Sequence, residues 1–188
     1  MNRVFRLAQT PRIFSACFFG LVCFICFSFP SLAQDKGGRF LEPGVEVNVF
    51  VFSSAHWTDT NLEVVEDQEI NFKASGMISL QMGNPITHCG PDGYNLRTVQ
   101  QLLGDKNIGA LIGRVIQLIS VEIDEETGEE TRNELIEDFY IGSSNTIRMP
   151  ISGHLFLGIN ENVVEDNSGE YKVLFYIDEE ITIRSWKK

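Results

Sequence analysis

Histidine and cysteine, the residues that most often carry metal and nucleophilic chemistry, are nearly absent from this chain. Among 188 residues there are three histidines, His56, His88 and His154, and four cysteines. Cys17, Cys23 and Cys26 fall within the first 33 residues, so only Cys89 lies beyond them. Also missing are a phosphate-binding glycine loop, a His-Glu-x-x-His run, paired cysteines at zinc spacing and a Gly-x-Ser-x-Gly elbow. His88 and Cys89 are adjacent, but neighbours along a strand point to opposite faces, so His88 is badly placed to activate the thiol. His154 acting as a distant base is the other arrangement; a packed, unreactive cysteine is the simpler one. Carboxylates are plentiful, yet nothing selects a pair at glycosidase spacing, so no enzyme is expected.

Positive charge is scarce, and the start of the chain carries no other sign. Arg3, Arg6 and Arg12 lead into an apolar run from Ile13 to Phe29, no acid occurs before Asp35, and Pro30 with Ser31-Leu32-Ala33 closes the segment. That order is the order of a secretory signal peptide over residues 1–33, with cleavage expected between Ala33 and Gln34 and a secreted or periplasmic product. A retained anchor is the weaker reading, because the run is short of the roughly 20 residues that span a bilayer. Loss of the leader leaves twelve bases against 26 acids, a balance of −14, and one cysteine that has no intrachain disulfide partner. Such a surface repels nucleic acid and anionic lipid headgroups, so neither nucleic acid nor a membrane is an expected partner of the mature chain. It favours cations, calcium included, although acidity alone commonly serves solubility. About 155 residues bury close to 70% of their unfolded surface, enough for one self-supporting domain.

Helical periodicity is the last thing in short supply. Residues 34–44 read as an exposed lead-in with Lys36-Gly37-Gly38-Arg39 and Pro43-Gly44. From residue 45 to 188, short apolar segments alternate with turn chemistry. Val45–Phe52 alternates, and Leu62–Val65 and Ile70–Ala74 flank Glu66-Asp67-Gln68-Glu69 as a hairpin would. Only Leu96 to Leu103, apolar at 96, 99, 102 and 103, permits two helical turns. Gly109 to Ile123 reads as a long strand, Asp124 to Glu130 as a solvated hairpin tip, and Ser143-Ser144-Asn145 as a turn. Segments 147–149, 154–159, 171–177 and 181–186 complete roughly ten strands, which means an all-β sandwich or barrel with at most one short helix. Trp57 and Trp186 suit core or edge cover better than sugar stacking.

One loop is dense in oxygen. Between the apolar strands Leu155–Leu157 and Tyr171–Ile177 lie Asn160, Glu161, Asn162, Glu165, Asp166, Asn167 and Ser168. Calcium takes six to eight oxygens; Asn160, Asp166 and Asn167 could give three, and a carbonyl at Val163 or Val164 a fourth. The alternative is a polar loop whose Asn, Asp and Gly simply suit its turns.

Asn160…Asp166-Asn167-Ser168-Gly169 resembles the calcium loop of the bacterial calcium-dependent galactose-binding lectins. Upstream, Ala74-Ser75-Gly76 is similar to that family's early small-residue turn, Gly90-Pro91-Asp92-Gly93 to its Gly-Pro-x-Gly loop, and Gly109-Ala110-Leu111-Ile112 to its Gly-Ala-Leu segment. The order holds from about Val47 to Ile177. The resemblance implies a galactose-binding-domain-like, jelly-roll-type β-sandwich that binds carbohydrate through one calcium ion. It implies ligands at Asn160, Asp166 and Asn167, with carbonyls from Leu80 and from Val163 or Val164. It also implies that two neighbouring sugar hydroxyls complete the metal's shell and that Gln100 and Arg97 orient the sugar. Arg97 stands where the family has a histidine, and the loop is one residue shorter between Asn160 and Asn167. The rival reading keeps the sandwich as a protein-interaction scaffold with the acidic hairpin at 122–137 as its surface; assembly into a homo-oligomer stays open.

Overall fold

The structure is a computed structural model that describes residues 38–179. The leader expected at 1–33, the strand expected at 181–186 and Trp186 lie outside the described residues. In chain order the strands are β1 (Arg39–Phe40), β2 (Val47–Phe52), β3 (Thr58–Val64), β4 (Glu69–Ser79), β5 (His88–Cys89), β6 (Leu111–Ile123), β7 (Glu130–Tyr140), β8 (Ser144–Arg148), β9 (Gly153–Ile159) and β10 (Ser168–Tyr176). The chain is an all-β sandwich of two five-stranded sheets. One runs β1-β3-β9-β6-β7; the other runs β2-β10-β4-β5, with β8 also paired to β4.

Alternation explains which faces meet. In β10, Tyr171, Val173 and Phe175 are buried while Lys172 is exposed; in β9, Leu155, Leu157 and Ile159 are buried. Phe72 of β4 joins them, its ring 5.5 Å from Phe175 and 6.4 Å from Phe139. Phe139 lies over Gly113, where any side chain would collide with the ring.

Four local expectations are corrected. Leu96–Leu103 is not helical, because Leu96 and Val99 are exposed and the segment has no apolar face to bury; between residues 38 and 178 the one helical turn is the 3-10 turn Pro85–Thr87. Glu66–Glu69 is not a hairpin turn, since β3 and β4 belong to different sheets. It is instead an arch between sheets, pinned by Asp67 N–H to the Met149 carbonyl (3.0 Å) and Met149 N–H to the Gln68 carbonyl (2.9 Å). Val64 and Ile70 on either side are both buried, which a solvent-facing hairpin end would not allow. Ser144 and Asn145 already belong to β8. The lead-in is partly built in: Arg39 and Phe40 pair in parallel with Leu62 and Glu63, and Leu41 is buried.

The hairpin tip is where it was expected, but the hairpin is long. β9 pairs with β6 only from Leu111 to Ile116. From Gln117 onward β6 and β7 continue as a two-stranded ribbon, with a register shift between Leu118 and Ser120. Truncating the aromatic centre tests the core: Phe72→Ala is expected to destabilise the domain by about 3–5 kcal/mol in urea unfolding.

Candidate functional site

β9 ends in one sheet and β10 begins in the other, so residues 160–167 must carry the chain across the end of the sandwich. A crossing of this kind buries backbone and side-chain polar groups that need partners. Three side chains supply them: Asn160, Glu161 and Asn167, with relative exposures of 0%, 6% and 4%.

Asn160 works outward, onto the neighbouring loop. Its Oδ1 accepts from Leu103 N–H (2.7 Å), and its amide donates to the carbonyls of Leu103 and Asn107 (3.0 Å each). Its backbone N–H donates to the Ala110 carbonyl (2.8 Å). Asn162 N–H adds a bond to the Gln100 carbonyl (2.7 Å). Within that loop Gln101, buried, accepts from Thr98 N–H and donates to the Lys106 carbonyl. Segment 94–107 is therefore fastened directly against 160–162.

Asn167 works inward. Its amide donates to Glu161 Oε2 (2.8 Å) and to the carbonyls of Ser53 (3.3 Å) and Val163 (3.5 Å). Its Oδ1 is buried with no hydrogen-bond partner, the one such side-chain atom among the described residues. Burial pushes the Glu161 carboxyl above its ordinary range and the charge of Asp166 adds to this, while the bond from Asn167 partly offsets it. Among the described residues no lysine, arginine or histidine forms an ion pair with Glu161. The site thus joins a buried carboxylate lacking a cation to a buried amide oxygen lacking a donor. Carboxylate, amide and carbonyl oxygens are donors that calcium takes, and here the carboxylate and the Val163 carbonyl meet the nitrogen of the Asn167 amide, not its oxygen. Three His, Cys, Asp or Glu side chains do not gather as metal ligands anywhere among the described residues.

The expected site residues do not all take their expected parts. Asn160, expected as a ligand, has its amide held by backbone groups of 103–107, and the acid that meets Asn167 is the next residue, Glu161. Asp166 is exposed; its carbonyl accepts from Met82 N–H (2.6 Å), which brings the turn containing Leu80 beside the loop. Of the two candidate carbonyls, Val164 already accepts from Asn167 N–H (3.1 Å), whereas Val163 is met only by the long contact from the Asn167 amide. Arg97 and Gln100 are exposed on the fastened loop. Sequence reasoning missed the burial of Gln101 and the part played by Ser53. Alternation along 159–161 does not reveal which neighbour turns inward in a loop.

The base of the site is Tyr171, whose hydroxyl donates toward the carbonyls of Gly90 (2.7 Å) and Gly109 (3.0 Å). Gly109 has φ +73° and faces Leu80 and Cys89, where a Cβ would lie 2.7 Å from a Leu80 methyl. Burial pushes the Cys89 thiol up, and its Sγ sits 3.6 Å from the Tyr171 hydroxyl. His88 is exposed on the opposite face of β5. His154 is held between Asp59 (2.6 Å) and Glu63 (2.8 Å), so neither ring nitrogen is free to serve Cys89. Trp57 covers Gly158 and lies over the Arg114 guanidinium at 4.1 Å.

No family model matches the chain, and no curated protein matches it. Among solved structures it is similar to the EclA N-terminal domain, a PllA-like lectin, at 18% identity over 70% of this chain and 95% of that one, with a TM-score of 0.46. It is also similar to a chain described under "Bacillus endospore appendages form a novel family of disulfide-linked pili", at 11% identity over 72% and 87%, with a TM-score of 0.20. At these scores neither likeness bears on what the chain binds.

The buried carboxyl gives a signed test. Its pKa is raised on folding, so without metal its charge disfavours the fold at neutral pH, and that penalty fades as pH falls through the raised pKa. Glu161→Gln keeps an oxygen for the Asn167 amide and removes the charge. In chelator at about pH 7 its unfolding midpoint is expected above the parent's, the gap closing toward about pH 4. A lower midpoint at neutral pH would show that the carboxylate is already balanced within the protein.

Proposed function

We propose that this chain is an exported, non-catalytic carbohydrate-binding module, lectin-like in action, whose sugar rests where loops 94–107 and 160–167 meet. The observation that carries the reading is a buried, cation-less Glu161 carboxylate held by the Asn167 amide nitrogen while the oxygen of that same amide is buried without a partner, beside a fastened polar loop. Calcium would be held by the Glu161 carboxylate, Asn167 Oδ1 and the Val163 carbonyl, with Asp166 and the Leu80 carbonyl at its margin. Bound there, it supplies a fixed positive charge toward which two neighbouring hydroxyls of a sugar can turn their lone pairs.

The chain's own residues do the rest. Asn160 and Asn162 fix the height of loop 94–107 through Leu103, Asn107 and Gln100. That leaves the Gln100 amide and the Arg97 guanidinium at the surface as donors for further hydroxyls. A guanidinium donates as a planar fork and cannot accept, unlike an imidazole, so Arg97 selects acceptor oxygens on the sugar. Galactose-type sugars, which the lectin resemblance suggests, head the ligands to be screened.

Thermal unfolding with calcium and then with chelator tests the metal. At about 100 times its dissociation constant the ion adds about 2.7 kcal/mol, which raises the midpoint by about 5–10 °C and reverses on chelation. A glycan array read in calcium and in chelator tests the sugar. Gln100→Ala is expected to lose array signal while keeping the calcium shift. An unchanged midpoint in calcium contradicts the metal, and array signal that survives chelation contradicts its role in sugar binding.

A further inference from the structure

The two sheets expose apolar patches of opposite charge on opposite sides of the sandwich. On the β6–β7 ribbon, cross-strand pairing sets Ile116 opposite Ile136. The same face carries Leu118 before the register shift and Val121 and Ile123 past it, paired with Glu134, Arg132 and Glu130. Every one of these aliphatic residues beyond Ile116 is exposed, Ile123 at 66%. The core-facing side of β6, by contrast, carries Leu111 and Val115, both fully buried. Between Glu122 and Glu137 there are eight carboxylates and one base, Arg132, which is itself paired to Glu130 at 2.8 Å. Over about seven residues, some 23 Å, this ribbon has no third strand among the described residues. Two strands alone are marginally stable in water, and an aliphatic stripe of this length is the usual mark of a covered surface.

The outer face of the other sheet has the complementary character. Its cross-strand rows read Phe52–Glu170–Met77, then Phe50–Lys172–Ser75, then Asn48–Leu174–Lys73. Phe50, Phe52 and Met77 are exposed, Met77 at 62%, and both lysines are exposed beside them. Lys73 lies over the Tyr176 ring at 5.4 Å. This face holds two lysines against two carboxylates, Glu170 and Glu69, and the second is already paired to Arg148 of β8 at 3.0 Å. Among the described residues β2 is also the edge of its sheet.

We infer that the projecting β6–β7 ribbon of one molecule docks on the outer β2–β10–β4 face of a second copy, its aliphatic stripe against Phe50, Phe52 and Met77, with Glu130 and Glu134 facing Lys172 and Lys73. The two surfaces look away from each other, so one molecule cannot satisfy both by itself. The contact joins unlike patches and leaves one of each unused. It therefore adds copies head to tail, and the geometry of the contact decides between a ring and an open chain. The charge of the ribbon excludes ribbon-to-ribbon pairing, which would set eight carboxylates against eight.

Complementation between two variants separates this from any symmetric dimer. The full chain, expressed from Met1 and with its processing measured by mass, is compared with Val121→Asp/Ile136→Asp in the ribbon and Phe50→Asp/Lys172→Asp in the face. All four positions are exposed or half-exposed, so unfolding midpoints should stay near the parent's; Ile136→Asp and Phe50→Asp singly replace either double variant that fails to fold. Sedimentation is read in chelator, which keeps the outcome independent of the calcium site. The parent is expected to grow beyond a monomer with concentration, each variant to stay monomeric, and their equimolar mixture to form a 1:1 pair and nothing larger. A parent that stays monomeric, a variant that assembles as the parent does, or a mixture that stays monomeric overturns the inference.

Discussion

The chain leaves one sheet at Ile159 and enters the other at Ser168, and the end of the sandwich is organised by the polar groups that this crossing buries. A segment passing between two apolar layers cannot leave its amides to water. Asn160 and Asn167 meet that demand in opposite directions. One fastens the loop at 103–107, and the other reaches the Ser53 carbonyl at the end of β2 and the carboxylate of Glu161. Beneath them Tyr171 ties the Gly90 and Gly109 segments to the core. Four separate stretches of chain thus converge on one point because a single connection changes sheets there.

That convergence has an electrostatic remainder. Hydrogen bonding satisfies the Asn167 amide but leaves its oxygen bare, and it gives Glu161 one donor where a buried carboxylate ordinarily needs a cation or several N–H groups. A fold seeking only stability would place a neutral side chain at 161. Under the proposed function that charge is half of an interaction whose other half is a cation, and the charge of the exposed Asp166 adds to the field on Glu161.

Much of this was legible in residue order. Alternation in Tyr171-Lys172-Val173-Leu174-Phe175 and the Thr127-Gly128 tip gave strands and a hairpin near where they stand, because both signals are local. The arch at Glu66–Glu69 was misread because a hairpin turn and a between-sheet turn share their chemistry; only the burial of both Val64 and Ile70 separates them. The apolar spacing at 96, 99, 102 and 103 suggested a helix, but Gln101 and Asn160 hold that segment through side-chain bonds to backbone. At the site, the loop reads as oxygen-rich with Asn160, Asp166 and Asn167 as its expected ligands, whereas the acid buried beside Asn167 is Glu161. Which of two neighbours turns inward depends on partners more than 50 positions away, as with Leu103 and Asn160.

The central claim is that the Glu161–Asn167 pair is a cation site, and the side-chain amide signal of Asn167 reports on it directly. In a calcium titration followed by nitrogen–proton correlation spectra, that signal is expected to shift and saturate at one equivalent, together with the backbone amides around Val163. Shifts confined to the acidic ribbon tip at Asp124–Glu130, with the Asn167 signal unmoved, would show that calcium meets only surface charge and would contradict the account.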